Sequence, residues 1–160
     1  MKILNYLLIF FALLILQIRI IPFLSIGKLL PDVLLIGIVV LGVREGGVAA
    51  MITALFVGLM KDAFTTSWIG ASMLGLVAAG FLAGLYRHAR YRMGVQGKLL
   101  FLFMIMFVYN LIYYFLYLID TRLSVVDLVV QFAIPAAIYT FILAGIAHFL
   151  APRGLLGDES

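Results

Sequence analysis

The chain has 160 residues, 66% of them hydrophobic and only 11% charged, with a net charge of +4 and a mean hydropathy of +1.26. A water-soluble domain is about half apolar and about a quarter charged, so this composition cannot cover a water-facing surface and indicates an integral membrane protein. There is no cysteine, which excludes disulfides and thiolate chemistry, and the basic residues flank apolar runs without any soluble platform for nucleic acid.

Taken in chain order, the N-terminal stretch MKILNYLLIFFALLILQIRIIPF begins like a secretory signal, but its apolar core runs on and no small-x-small cleavage site follows. It is expected to stay attached as a first span over residues 3–18. Two short apolar runs follow, PDVLLIGIVVLGV and VAAMITALFVGLM, separated by REGG. At 1.5 Å per residue each rises only about 20 Å, short of a hydrocarbon core about 30 Å thick. A glycine pair after charged residues ends helices more often than it continues them, so Gly46 and Gly47 predict a tight helical hairpin, with spans over 31–45 and 47–61. Arg44 and Glu45 would snorkel to the interface, and the two short helices would sit inside the bundle or in thinned bilayer.

The fourth span, 69–86, carries Ala71, Gly75, Ala79 and Ala83 at four-residue intervals, with Gly80 and Gly84 as a second pair. Small residues so spaced form a flat stripe along which membrane helices approach closely, so this span is read as a packing hub directed at its own neighbours. The fifth span, 99–119, is rich in Phe and Tyr; its outer tyrosines fit an interfacial belt, and Asn110 at mid-depth needs a partner, with Thr140 or Tyr139 as candidates. In the sixth, 128–150, Pro135 frees a carbonyl one turn back and predicts a kink.

Six crossings put Lys2, Arg44, Arg87, Arg90, Arg92, Lys98 and Arg153 on one side, seven in all, against four on the other, Arg19, Lys28, Lys61 and Arg122. Both termini are therefore expected to be cytoplasmic. The fold expected is an all-α membrane protein, a six-span helical bundle forming a single domain over 1–160, with its second and third spans short.

Catalytic chemistry finds few candidates. The serines lack an elbow-like glycine setting, His88 and His148 are read as interfacial, no metal-ligand spacing occurs, and no phosphate-cradling glycine loop precedes a lysine. The acids all lie at span ends or in the tail, which weighs against a proton pump. No catalytic residue, cofactor or metal is assigned. Asp32 and Asp62 draw most interest, because the hairpin brings both, with Lys28 and Lys61, to one outer level, where Trp68 anchors the next loop. The ordinary fate of such residues is a helix cap or an interfacial salt bridge; their convergence also suits docking.

The segment LLPDVLLIGIVVLGVREGGVAAMITALFVGLMKDAFTTSWIGASMLGLVAAGFLAG resembles the MreD family, the rod shape-determining membrane subunit of bacterial cell-wall elongation. The resemblance lies in Pro31 and Asp32 opening a short helix, the break at Gly46 and Gly47, and Gly58, Leu59 and Asp62 followed by Gly70. Lys61 departs from the pattern, standing where an apolar residue is expected, and would neutralise Asp62. The resemblance implies a non-catalytic scaffold of the bacterial inner membrane that binds MreC and, directly or through it, MreB, RodA and a class B penicillin-binding protein. Together with the convergence of Lys61 and Trp68 at the same outer level, it makes Pro31, Asp32, Gly58, Lys61, Asp62, Trp68 and Gly70 the partner-binding candidates. Replacing Asp62 by a bulky apolar residue would then weaken MreC association while leaving the bundle folded. The family is also similar in plan to the substrate-binding S-components of energy-coupling-factor transporters, and a vitamin-like ligand among Asp32, Asp62, Trp68 and the fifth-span tyrosines is the alternative.

Overall fold

Gly46 turns the chain back on itself. In the computed structural model, which describes residues 2–19, 23, 32–64, 70–119 and 124–150, it adopts φ 110° and ψ 165°, a region open in practice only to glycine. Its N–H still donates to Gly42 O at 3.1 Å, closing helix α2 (Val33–Glu45), and its carbonyl accepts from Ala50 N at 3.2 Å, opening α3 (Gly47–Phe64). The expected hairpin is therefore made by one glycine, and Gly47 is already helical. The rest follows as α1 (Lys2–Arg19), α4 (Ala71–Ala89), a 3-10 turn (Arg90–Arg92) and α5 (Val95–Leu118). Helix α6 starts with the turn Val125–Leu128, passes through a π turn at Val129–Ala133 and continues as Ile134–Leu150. The described residues contain six helices and no strand.

Helices α3 to α6 each run past one of the apolar limits read from sequence. Helix α3 gains almost a turn, to Phe64, and is long and apolar enough to cross a membrane, as are α5 and α6; α2, with 13 residues, stays short. The disruption expected from Pro135 takes the form of the π turn just before it, since proline has no N–H to offer the preceding turn.

Helix α4 packs against α2, α3 and α5, with α1 flanking α2 and α6 flanking α5. Its small-residue stripe faces inward: Ala71, Ser72, Gly75, Ala79, Gly80, Ala83 and Gly84 are all buried. Lipid tails are as apolar as leucine, so close backbone approach and van der Waals contact drive this association. Helix α2 is apolar all round and lies in the interior, where Leu34, Leu35 and Ile38 are fully buried.

A side chain at Gly84 would place its Cβ 2.4 Å from Gly47 Cα and 2.7 Å from Gly47 N, and one at Gly42 would lie 2.6 Å from Ala83 Cβ. Since the first obstacle is backbone, Gly84→Ala is expected to lower the unfolding free energy by about 2–3 kcal/mol. Gly94→Ala, with nothing within 4 Å of its new methyl group, is expected to change it by less than about 0.5 kcal/mol. Unfolding midpoints in detergent check the pair; equal midpoints would contradict this packing.

The partner expected for Asn110 is corrected. Its Nδ2 donates to Met106 O of its own helix at 2.9 Å, and the buried Thr140 hydroxyl makes no hydrogen bond. The cause is register. Ring contacts between Tyr114 and Phe132 (5.7 Å) and between Phe103 and Phe141 (6.0 Å) set α6 antiparallel to α5, so that Pro135 is level with Asn110 and Thr140 lies a turn or more away.

Candidate functional site

Two acids and one lysine that sequence places at helix ends are buried together where α2, α3, α4 and α5 meet. Asp32, Lys61 and Asp62 are only 5%, 7% and 1% exposed. In an apolar bundle each must be matched by partners, and each is.

Asp32 is the N-cap of α2. Its Oδ1 accepts from Leu35 N at 3.3 Å, while Gln17 Oε1, from α1, accepts from Val33 N at 2.9 Å, so two of the donors orphaned at this helix start find acceptors. Its Oδ2 accepts from Lys61 Nζ of α3 in an ion pair and from the Tyr109 hydroxyl of α5. Lys61 Nζ also donates to Tyr109 Oη at 3.0 Å and lies 5.7 and 5.4 Å from the ring centroids of Tyr109 and Tyr113, which stack on each other. The ammonium is thus held by one carboxylate, one phenol and two aromatic faces. The tyrosine comes this close because Gly75 has no side chain: a Cβ there would be 2.8 Å from Tyr109 Cδ2.

Asp62 does different work. Its Oδ2 accepts from Gly70 N at 2.8 Å and Met73 N at 3.2 Å, and its Oδ1 from Ser72 N at 3.2 Å. It caps α4 from the end of the preceding helix, where the helix dipole favours a negative charge, because the residue in the capping position is Gly70 with φ 105° and no side chain to offer. Gly58 completes the joint. A Cβ there would lie 2.5 Å from Met73 Cα, so its absence lets α3 and the first turn of α4 touch backbone to backbone.

Lys61 therefore does not neutralise Asp62, as its adjacency suggested, but pairs with Asp32, 29 positions earlier. Adjacent helical residues point about 100° apart, which sends the two side chains to different helices. The depth of the pair also differs from expectation. Tyr109 is near the middle of the 24-residue α5, so Asp32 stands at the end of its own short helix yet inside the bundle. Among the residues proposed for docking, Gly58, Asp32, Lys61 and Asp62 are thus buried and Gly70 is half-buried, while Pro31 and Trp68 lie outside the described residues.

Tyr109 and Gln17 were not singled out from sequence. Tyr109 enters the sequence reading only as one of the fifth-span tyrosines; the signal available is its position four residues before Tyr113, at the same depth as Asn110. Chemically, the network links helices. The atoms a small ligand would need on Asp32 and Asp62 are engaged by Lys61, Tyr109 and three backbone amides, and among the described residues no three His, Asp or Glu side chains converge as metal ligands.

The opposite end of the bundle is basic. Arg44 and Glu45 close α2, the Tyr6 hydroxyl donates to Glu45 Oε1 at 2.6 Å, and Arg87 Nη1 comes within 3.1 Å of the position a Gly46 Cβ would take. The 3-10 turn at Arg90–Arg92 joins α4 to α5 there.

Comparison with known proteins matches residues 1–151 to the family described as rod shape-determining protein MreD. No curated protein and no solved structure matches. With nearly the whole chain covered, and with Asp32, the glycine break and the Gly-Leu-x-x-Asp joint at helix junctions, the chain belongs to the MreD family of rod shape-determining integral membrane proteins.

Proposed function

We propose that the chain is a non-catalytic scaffold subunit of the bacterial elongation complex, set in the inner membrane as six spans with both termini cytoplasmic, and that it binds MreC and through it MreB, RodA and a class B penicillin-binding protein. The observation that carries this reading is the joining of four helices by Asp32, Lys61, Tyr109 and Asp62, an arrangement that fixes a shape. The orientation is supported by the collection of basic residues at the hairpin tip and the α4–α5 junction, Arg44, Arg87, Arg90, Arg92 and Lys98.

In this reading the motif residues act on docking indirectly. Lys61 and Asp62 hold one face of α3 inward, and the opposite face presents Ile52, Leu55, Phe56, Leu59, Met60 and Phe64, all exposed, as an i, i+3, i+4 ridge. The membrane helix of MreC is proposed to pack on that ridge, with Gly58 and Gly70 fixing how α3 joins α4 behind it, and Pro31 and Trp68 are proposed as further contacts. Truncating aromatic anchors tests this, because they carry a large share of binding energy at such contacts. Phe56→Ala with Phe64→Ala is expected to reduce MreC co-purification about tenfold or more. The exposed Phe115→Ala on α5 is expected to leave it unchanged. Recovery of MreC at the wild-type level by the α3 variant, with an unaltered unfolding midpoint, would refute the ridge as the contact.

A further inference from the structure

The basic end has features beyond those that orientation requires. Besides Lys2, five cationic residues, Arg44, Arg87, Arg90, Arg92 and Lys98, are set against a single acid among the described residues of this end, Glu45, which already accepts from Tyr6. Four of the five, all but Arg44, ring the α4–α5 junction, and no acid lies on that junction.

Apolar side chains stand exposed at the same level. Tyr91 is 79% exposed and Val95 73%, with Leu99 and Leu100 exposed one turn further along α5 and Leu85 one turn back along α4. The Arg90 guanidinium lies 4.9 Å from the Tyr91 ring centroid and donates to its hydroxyl at 2.9 Å, a bond that also pulls the phenol's pKa below its ordinary value. Cation and aromatic ring are thereby presented as one unit. Apart from its two chain neighbours, no residue comes within 4 Å of the place a Gly94 side chain would start, so the junction backbone is open from outside.

We propose that the α4–α5 junction is a binding surface for anionic phospholipid headgroups, with Arg87, Arg90, Arg92 and Lys98 taking the phosphates while Tyr91 and Val95 enter the acyl boundary. Charge selects an anion, and the exposed apolar residues select a lipid. An acidic water-soluble segment would complement the guanidinium groups but would leave Tyr91, Val95 and Leu99 facing water, whereas an anionic lipid offers a phosphate and a hydrocarbon chain at matching depths. Arginine suits the role because its planar fork engages two phosphate oxygens at once.

The test is lipid titration of the full chain in mild detergent, read by native mass spectrometry, with phosphatidylglycerol against phosphatidylcholine. The wild-type protein is expected to bind phosphatidylglycerol in clear preference. Each basic side chain near a membrane surface contributes about fivefold in affinity, so the Arg90→Gln, Arg92→Gln double variant is expected to bind it about thirtyfold more weakly. Arg90→Lys with Arg92→Lys should restore most of that loss, and Arg19→Gln at the other end should lose nothing. Unfolding midpoints ensure that folded proteins are compared, and the wild-type preference is read without any variant. Equal affinity for the two lipids would overturn the proposal, as would an unchanged double variant or capture of an acidic polypeptide without preference for phosphatidylglycerol.

Discussion

Asp62→Leu is expected to destabilise the bundle by about 3–5 kcal/mol, because it removes the acceptor for three backbone N–H groups at the buried start of α4. Each orphaned donor costs about 1–3 kcal/mol, and water cannot readily replace a carboxylate that is 1% exposed. Asn retains an acceptor oxygen and is a good capping residue, so Asp62→Asn is expected to lose only about 1–2 kcal/mol. Unfolding midpoints measured by circular dichroism in detergent distinguish the two. A leucine variant as stable as wild type would show that α4 starts without this cap. The result also governs interaction experiments: burial gives Asp62 a structural role that its place beside Lys61 did not suggest, so any loss of MreC association by an Asp62 variant has to be read at matched folded fraction.

Lys61→Met should be about as damaging, near 3–5 kcal/mol, for a different reason. It leaves the Asp32 carboxylate buried with only the Leu35 amide and the Tyr109 hydroxyl, and an uncompensated charge in an apolar interior is the costly half of a broken pair. The distinguishing observation is rescue. Asp32→Asn added to Lys61→Met removes the stranded charge while keeping a cap, and the pair is expected to recover about 2 kcal/mol or more of the single-variant loss. Additive losses in that double-mutant cycle would mean that the two side chains do not depend on each other.

Much of the architecture is legible in the sequence because membrane helices declare themselves by length and apolarity. The REGG break announced the hairpin, and the Ala/Gly period in the fourth span announced the hub. What stayed hidden depended on relative depth. Asp32 looks superficial because it opens a helix, yet α2 is so short that its end lies level with the middle of α5. Neither helix alone contains that information. Adjacency suggests pairing Lys61 with Asp62, although consecutive helical positions diverge around the axis. Asn110 and Thr140 were paired by approximate depth, and a shift of a few residues in the antiparallel register of α5 and α6 separates them. Asp32, Lys61 and Asp62 are thus readable from sequence as residues that converge, whereas their wiring and the part taken by Tyr109 and Gln17 are not.

The 29-position interval between Asp32 and Lys61 also bears on biosynthesis. When the ribosome has delivered the chain only as far as Met60, the acid at the head of α2 has emerged but its counter-charge has not. A 13-residue segment with a bare carboxylate makes a poor candidate for release into lipid. It becomes acceptable once the next helix arrives and brings the ammonium to meet it. The two segments are therefore expected to leave the insertion machinery as one unit, with Gly46 as the crease along which that unit folds.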